Sequence, residues 1–194
     1  MAKRIVLIQG HPSSGGGHFC HALAEAYAQS AAAAGHQIRH IAVADLDFPI
    51  LRTKAEWDAG PVPASLKPAQ EAIGWAEHLV ILYPLWLGTM PALLKAFLEQ
   101  VFRPGFAIRT VDGGLGWTKL LAGRSARIVI TMGMPAFIYR WYFRAHSLKS
   151  LERNILGFSG IGPIHASLIG SVETSAAARR RWLDRMGALG RQGR

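Results

Sequence analysis

The feature that most constrains the fold is the alternation of short apolar segments with longer segments of helical periodicity. The apolar segments cover residues 4–9, 37–43, 79–84, 126–132 and 164–170. The segments with helical spacing of apolar residues run from 18 to a stop at Gly35, and over 67–78, 91–102, 147–156 and 175–189. Strands alternating with helices are typical of a parallel sheet covered by helices on both faces. The sequence therefore predicts an α/β fold.

Five strands joined by right-handed crossovers can place helices on both faces of a doubly wound sheet, and the predicted strand order is 2-1-3-4-5. In such a sheet a ligand binds beyond the carboxyl ends of the strands, where the order reverses between strands one and three. The loops at that edge are residues 10–18, 84–91 and 133–146. A chain of 194 residues, half of them apolar, is long enough for one such domain spanning 1–194.

Cysteine content and hydropathy predict the compartment. The single cysteine, Cys20, cannot form an intramolecular disulfide, and the apolar run near the N-terminus is too short for a signal peptide. The longest uncharged run, 79–94, contains Pro84, Gly88 and Pro91, which is unlike a membrane span. We expect a cytoplasmic protein without a membrane span.

A formal net charge of +10 raises the question of a nucleic-acid partner. Residues 179–194 hold six arginines against one aspartate, which accounts for half of the excess. Basic residues concentrated on a closing helix are more typical of a solvated face than of a polyanion-binding patch, and no RNA-binding or zinc-finger spacing accompanies them. We therefore predict no nucleic-acid partner.

The stretch "IVLIQGHPSSGGGHFCHALAEAY", residues 5–27, runs from a strand through a Gly/Ser loop into a helix. Glycines 15–17 permit tight turns with exposed N–H groups, Ser13 and Ser14 add hydroxyls, and a helix N-terminus carries partial positive charge. These features predict a phosphate cradle; the alternative is a flexible turn without a ligand.

The chain contains no G-x-x-x-x-G-K-[ST], G-x-G-x-x-G or G-x-S-x-G motif, which argues against P-loop hydrolases, Rossmann dinucleotide sites and serine hydrolases.

Three histidines lie near this loop. His11, His18 and His21 have only Cys20 as a further ligand nearby, so the ligand count disfavours zinc and we predict no metal site. At the end of the first strand, His11 is placed to donate to a phosphate or a carbonyl; the alternative is an ordinary loop histidine.

The other two loops of the same edge are aromatic. "YPLWLGTMP" (83–91) contains Trp86, which either packs in the core or forms the wall of a planar ligand site. "TMGMPAFIYRWYFRAH" (131–146) begins with small residues and carries five aromatic residues and His146. A phosphate cradle beside aromatic walls indicates a flavin site, where the cofactor supplies most of the chemistry.

Three motifs in this chain resemble those of the flavodoxin-like NAD(P)H quinone reductases and the related flavoprotein that regulates potassium-efflux channels. They are "GHPSSGGGHFCHALA", "YPLWLGTMPALLKAFLEQVFRPGFA" and "TMGMPAFIY". The resemblance spans nearly the whole chain, and the middle motif is the most specific. Two departures are His18-Phe19-Cys20, where the family often has Ser-Phe-Asn, and Met134, where a second glycine is usual.

The resemblance implies a flavodoxin-like fold and a set of site residues. The first loop would bind the flavin phosphates, the second would contact the isoalloxazine, and the third would supply further contacts. The implied cofactor residues are His11, Ser13, Ser14, Gly17, His18, Phe19 and Cys20; Pro84, Leu85, Trp86 and Leu87; and Thr131, Met132, Gly133 and Tyr139. The implied catalytic residues are Tyr139 and His146.

The resemblance also implies an activity. NAD(P)H would pass a hydride to N5 of FMN or FAD and leave, and a quinone or similar aromatic acceptor would take it from the same face in a ping-pong cycle. A homodimer with the site at the interface is implied as well. The alternative is a regulatory flavoprotein subunit of a potassium-efflux system with incidental reductase activity.

Overall fold

A computed structural model describes residues 1–110 and 116–194 of the chain. Its strands are β1 (Arg4–Gln9), β2 (Gln37–Ala42), β3 (His78–Pro84), β4 (Ile108–Thr110), β5 (Trp117–Lys119), β6 (Ser125–Thr131) and β7 (Ile164–Ile169). Its helices are α1 (Phe19–Ala33), α2 (Lys54–Ala59), α3 (Lys67–Trp75), α4 (Ala92–Val101), α5 (Ala136–Trp141), α6 (His146–Ser150) and α7 (Ala176–Gln192).

Five strands form one parallel sheet in the order β2-β1-β3-β6-β7. Taken in chain order, these are the five predicted strands, so the predicted order 2-1-3-4-5 is confirmed. β4 and β5 form a separate antiparallel pair. The strand order reverses between β1 and β3, which pair directly, so the connections that follow these two strands lead in opposite directions and leave a crevice between them.

Alternate residues of the central strands pack into two separate cores. In β1, Val6 and Ile8 face the core under α3 to α6, whereas Ile5 and Leu7 face the core under α1 and α7. All four side chains are at most 1% exposed. A strand buried on both faces needs apolar residues at every position, which explains why these segments read as continuous apolar runs.

Helices α1 and α7 pack closely because α7 presents glycine at the contact. A side chain at Gly190 would collide with the carbonyl oxygen of Tyr27, and a Cβ at Gly187 would lie 2.9 Å from Oγ of Ser30. The absence of side chains at both positions lets the backbones of the two helices approach each other.

Several short elements differ from the sequence-based expectations. Residues 133–146, expected as a loop, contain helix α5, and the predicted helix over 147–156 begins at His146 and becomes π-helical over Leu151–Gly157. Helix α2 and the β4-β5 pair were not predicted. Elements of three to six residues are too short to show a periodic apolar pattern, so tertiary contacts and caps decide them. At α2, for example, the Thr53 side chain accepts a hydrogen bond from the N–H of Glu56.

Among the residues that the structure describes, no helix has both the length and the apolar character needed to cross a membrane.

His78, at the start of β3, is a titratable group inside the sheet. It is 2% exposed, its Nδ1 lies 2.8 Å from Oγ of Ser125, and its Nε2 has no partner among the described residues. Burial lowers the pKa of His78 from 6.5 to about 3, and the charges of Lys3 and Arg127 act in the same direction. His165 and His36 add to the same effect. The imidazole is therefore neutral in the folded protein at physiological pH.

This burial predicts acid sensitivity of the fold. Between pH 6.5 and about 3 the unfolded chain binds a proton at His78 that the folded chain does not bind. The free energy of unfolding should therefore fall with decreasing pH in this window, by at most about 1.4 kcal/mol per pH unit from this group. His78→Gln should reduce the slope in urea denaturation between pH 6.5 and 4. His40→Gln removes an exposed imidazole of β2 for comparison; an equal change of slope in both variants would contradict the role of burial.

Candidate functional site

Hydrogen bonds and close packing bring the three predicted loops to one edge of the sheet. The N–H of Gly10 donates to the carbonyl of Leu82 at 2.7 Å, and the N–H of Leu85 donates to the carbonyl of Thr131 at 2.8 Å. A Cβ at Gly10 would lie 2.6 Å from Cδ2 of Leu94 in α4 and 3.1 Å from the carbonyl oxygen of Leu82, so a side chain there would displace the buried Leu94. The ends of β1, β3 and β6 are thus held together.

The loop between β1 and α1 presents unpaired hydrogen-bond donors. Gly16 and Gly17 have φ values of +68° and +74°, a conformation that side chains disfavour. In the described part of the chain, the backbone N–H groups of residues 14–18 have no protein acceptor, and neither serine hydroxyl of the loop is bonded. No side chain caps the start of α1. The loop therefore offers a cluster of free donors at a helix N-terminus, which is suited to an anion.

Gln9 holds the two ends of this loop together. Its Oε1 accepts from the N–H of His11 at 3.1 Å and from Sγ of Cys20 at 3.4 Å, and its Nε2 donates to the carbonyl of Cys20 at 3.2 Å. The sequence analysis did not select Gln9. A polar residue that ends an otherwise apolar strand is the signal that could have found it.

Three imidazoles cluster behind the loop. The His11 and His18 rings are stacked with centroids 4.1 Å apart, and the ring of His21 lies 4.9 Å from that of His11. Burial lowers the pKa of His11 to about 4, and the neighbouring imidazoles His18 and His21 add to the shift. Nδ1 of His11 accepts from the N–H of Ser13 at 3.1 Å, which assigns the ring proton to Nε2. His11 is therefore a neutral hydrogen-bond donor.

The histidine cluster does not have metal-site geometry. Within residues 1–110 and 116–194, no group of three His, Cys, Asp or Glu side chains is arranged to hold a metal ion.

A cavity of about 570 Å³ adjoins the first turns of α1. His18, Phe19 and His21 line it, together with Glu25 and Arg179. Arg179 is placed by a hydrogen bond from Nη1 to the carbonyl of Val172 at 2.9 Å. The sequence analysis treated Arg179 as part of a solvated basic face, because nothing in the local pattern shows that the start of α7 lies beside the start of α1.

The second loop turns sharply at the mouth of β3. Trp86 and Thr89 exchange backbone hydrogen bonds of 2.8 and 2.9 Å, with Leu87 and Gly88 at positive φ between them. This turn leaves Trp86 half exposed and Leu87 fully exposed. The Trp86 ring meets that of His11 edge-on, with centroids 6.4 Å apart. Trp86 is therefore not a core residue, and its role as the wall of a planar ligand site stays a prediction.

The start of the third loop is anchored by the last strand and by the chain that follows it. The N–H of Met132 donates to the carbonyl of Ile169, and the N–H of Ser171 donates to the carbonyl of Met134. Gly133 is exposed, whereas Thr131 and Met132 are buried.

Burial raises the pKa of the Cys20 thiol to about 12, against the smaller opposite effect of hydrogen bonds with Thr131 and Gln9. Cys20 is thus a neutral, buried group.

The two predicted catalytic residues have different environments. Tyr139 is 1% exposed; its hydroxyl lies 2.7 Å from Oγ of Ser147 and accepts from the N–H of Leu148 at 3.0 Å. His146 is exposed at the start of α6. The hydroxyl of Tyr139 in α5 is thus bonded to α6, and the catalytic roles of both residues stay predictions.

The family follows from a comparison of the whole chain with known families. Residues 3–189 match the family described as having a flavodoxin-like fold, Flavodoxin_2. The chain belongs to this flavodoxin-like family. The predicted fold class is thereby confirmed, and so is the resemblance on which the site residues were chosen.

Two curated relatives of this flavodoxin-like chain carry informative names. An uncharacterized NAD(P)H oxidoreductase of Haemophilus influenzae is 29% identical over 115 residues, covering 58% of this chain and 55% of the relative. The glutathione-regulated potassium-efflux system ancillary protein KefG of Escherichia coli is 41% identical over 76 residues, covering 38% of each. The matched region therefore spans about half of the first relative and less of the second.

Solved structures share the fold over the full length. The NAD(P)H:quinone oxidoreductase of Methanothermobacter marburgensis has a TM-score of 0.82 at 22% identity, with 100% of both chains covered. An FMN-dependent NADH-azoreductase of Bacillus anthracis, solved with FMN, has a TM-score of 0.75 at 16% identity, with 99% of both chains covered. At these identities the likeness shows the fold.

The hydrogen bonds of Tyr139 predict a structural cost for losing its hydroxyl. Tyr139→Phe leaves the buried N–H of Leu148 and the Ser147 hydroxyl without their partner, so the free energy of unfolding should fall by about 1–2 kcal/mol. The matched control is Tyr27→Phe, because the buried Tyr27 hydroxyl has no partner among the described residues; its effect should be under about 0.5 kcal/mol. Urea denaturation measures both, and equal losses would contradict the assigned hydrogen bonds.

Proposed function

We propose that this chain is a flavin-dependent NAD(P)H oxidoreductase that passes a hydride to a quinone or similar aromatic acceptor. The observation that carries the proposal is the row of free N–H groups at residues 14–18. The His11 ring links this row to the second loop, because it stacks on the His18 ring and meets the half-exposed Trp86 ring edge-on. An anion site and an aromatic wall at the point where strand order reverses suit a phosphorylated planar cofactor. The names of the Haemophilus relative and of the two solved structures support the same class.

The first loop fits the phosphate end of FMN or FAD. The N–H groups of residues 14–18 and the hydroxyls of Ser13 and Ser14 would hold the phosphate oxygens, with the partial positive charge of the α1 N-terminus behind them. His11 adds a neutral donor at Nε2, which bonds an oxygen without adding a charge. Gln9 keeps the loop closed onto the start of α1.

The second and third loops fit the ring end. Pro84, Leu85, Trp86 and Leu87 would pack against the isoalloxazine, and the backbone around Met132 and Gly133 would supply polar contacts to its edge. The exposed indole offers area for stacking at small entropy cost, because it has only two side-chain torsions. When bound, the flavin supplies the two-electron chemistry that links NAD(P)H to the acceptor. The protein's part is to hold the ring while the two substrates occupy the same pocket in turn, as a ping-pong cycle requires.

Tyr139 and His146 complete the proposal as donors toward charge that develops on the ring. The Tyr139 hydroxyl lies 2.7 Å from Oγ of Ser147, and either group can be the donor. Donation to the ring needs Ser147 to donate in this pair, so that the tyrosine proton is free. His146 is exposed and has no such requirement.

A homodimer is part of the proposal. The rings of Tyr142 and Phe143 meet edge-on with centroids 4.9 Å apart and are 78% and 42% exposed. Leu87, in the second loop, is fully exposed as well. Large apolar side chains next to a ligand site are suited to burial by a second copy.

The KefG match supports a second candidate function, a regulatory flavoprotein of a potassium-efflux system with incidental reductase activity. Both candidates bind flavin. Fast turnover of a quinone distinguishes the enzyme from the regulatory subunit.

The purified full-length protein should retain a flavin after saturation with FMN or FAD and desalting. Mass spectrometry of the released cofactor distinguishes FMN from FAD. With NADH or NADPH and a benzoquinone, the loaded protein should show parallel lines in double-reciprocal plots at varied quinone. Retained flavin with no turnover would favour the regulatory candidate, and no retained flavin would contradict both.

Ser14→Asp should weaken flavin binding, because a carboxylate in the cradle repels the phosphate and occupies its donors. We expect the dissociation constant for FMN to rise by about tenfold or more, as one unfavourable charge in a partly desolvated site implies. Ser14→Asn is the matched control, similar in size and uncharged. Flavin fluorescence quenching measures both; equal affinities for the two variants would place Ser14 outside the cradle.

A further inference from the structure

The outer side of strand β7 is an open edge of the main sheet. Successive residues of a strand direct their backbone groups to opposite sides, and the carbonyls of Pro163 and Ile169 accept bonds from the β6 side. The N–H and C=O groups of Ile164, Ala166 and Leu168 therefore point outward. In the described residues these groups have no hydrogen-bond partner.

Helices on both faces of the sheet turn this edge into a groove. Two adjoining cavities of about 300 and 540 Å³ lie along β7 and share Arg140, Trp141, Ala166 and Leu168. The wall on one side comes from α5 and α6 and the wall on the other from α7. We call this feature the β7 groove; its floor includes the three outward-facing residues of the strand. A strand of six residues is about 20 Å long, enough for an added strand of similar length.

The walls of the β7 groove are basic and aromatic. The cations are Arg140, Arg144 and Lys149 on one wall, Arg185 on the other and Arg127 at the base. Among the described residues, Glu152 is the one acidic residue that lines either cavity. None of these five cations forms a salt bridge within residues 1–110 and 116–194. The exposed ring of Trp141 and the ring of Trp182, over which the Arg185 guanidinium lies at 5.1 Å, supply apolar surface.

Arg127 shows that positive charge reaches the base of the groove. It is 8% exposed, its Nε donates to the carbonyl of Arg194 at 2.9 Å, and its Nη1 donates to Oγ of Ser167 at 3.1 Å. Its Nη2 has no protein partner among the described residues, and Arg127 is one of the residues that line the cavity of about 300 Å³.

We propose that the β7 groove binds an extended acidic segment of a partner protein, which adds as a strand to the edge of β7. Main-chain bonds to Ile164, Ala166 and Leu168 would supply the pairing. Carboxylates on alternate residues share one face of the added strand, and there they would meet Arg140, Arg144 and Lys149 on the α5 and α6 wall. This role is independent of the redox function and uses none of the residues assigned to the flavin site.

Charge favours this occupant over a second copy of the chain. Pairing β7 with its counterpart would bring two sets of five cations together with a single acidic residue each. Like charges placed opposite one another oppose association. A small anion could neutralise some of the charge but would leave the outward backbone groups without partners.

The test uses the full-length protein and a fluorescein-labelled nine-residue peptide of alternating glutamate and valine. A twin with lysine for glutamate controls for charge. Two further acidic peptides have the same sequence and charge but carry N-methyl groups on the backbone nitrogens of alternate residues. One is methylated at the glutamates and the other at the valines, so each has one of its two sides blocked for strand pairing. Fluorescence anisotropy at 50 mM salt should show binding of the acidic peptide and none of the lysine twin. One methylated twin should bind about tenfold more weakly or worse than the other, since only one side of the peptide pairs with β7.

Three protein variants complete the test. Ala166→Pro removes an outward donor without removing a bond to β6, and should weaken binding about tenfold or more. Arg140→Glu combined with Arg144→Glu should also weaken binding of the acidic peptide about tenfold or more, because it replaces two cations of the groove by carboxylates. The control is Arg180→Glu, which changes an exposed cation outside both cavities and should change the affinity by less than about threefold. Circular dichroism confirms that each variant is folded.

Equal binding of both methylated twins would show attraction by charge alone and would overturn the strand-addition proposal. So would a wild-type dimer at micromolar concentration that Ala166→Pro converts to monomer, because a second copy would then occupy the groove.

Discussion

The structure depends on the close approach of β1, β3 and α4 at Gly10. The Gly10 N–H extends the β1–β3 pairing by one residue beyond the end of β1, and the missing side chain leaves room for Leu94. Because the two strands end together, the loops that follow them lie side by side, and α4 begins where the second loop closes. The first loop, with His11 and its free donors, and the second loop, with Trp86, follow directly from these two strand ends.

Two buried histidines of this molecule are neutral, and cations without a salt bridge among the described residues line the β7 groove. Burial lowers the pKa of the imidazoles of His78, inside the sheet, and of His11, in the candidate site. Both rings are therefore neutral, and neither is buried as a cation. Free positive charge is found instead at the rim of the sheet, on both walls of the β7 groove. Under the two proposals, the first loop would hold an anion through backbone dipoles and neutral donors, whereas long-range attraction would come from the cations of the β7 groove.

The site combines local and distant contributions. The glycines and serines of the first loop are adjacent in sequence, and their donors are free because the loop itself leaves them unpaired. Arg179 comes from the far end of the chain, and its place beside α1 depends on the α1–α7 packing that Gly187 and Gly190 allow. Gln9 is local but acts across eleven residues, and only the folded loop shows what it bonds.

The sequence by itself determined the class of fold, the order of the five main strands and the three loops at the carboxyl-terminal edge of the sheet. It could do so because buried strands and amphipathic helices have apolar patterns that are visible in short stretches of sequence. Tertiary structure decided the rest. The short helix α5, the role of Gln9 and the burial of the Tyr139 hydroxyl against Ser147 and Leu148 leave no periodic signal, since each depends on a partner that only folding brings near. The open edge of β7 is likewise invisible in the sequence, because an edge strand and a central strand of a parallel sheet can have similar apolar patterns, and only the arrangement of neighbours distinguishes them.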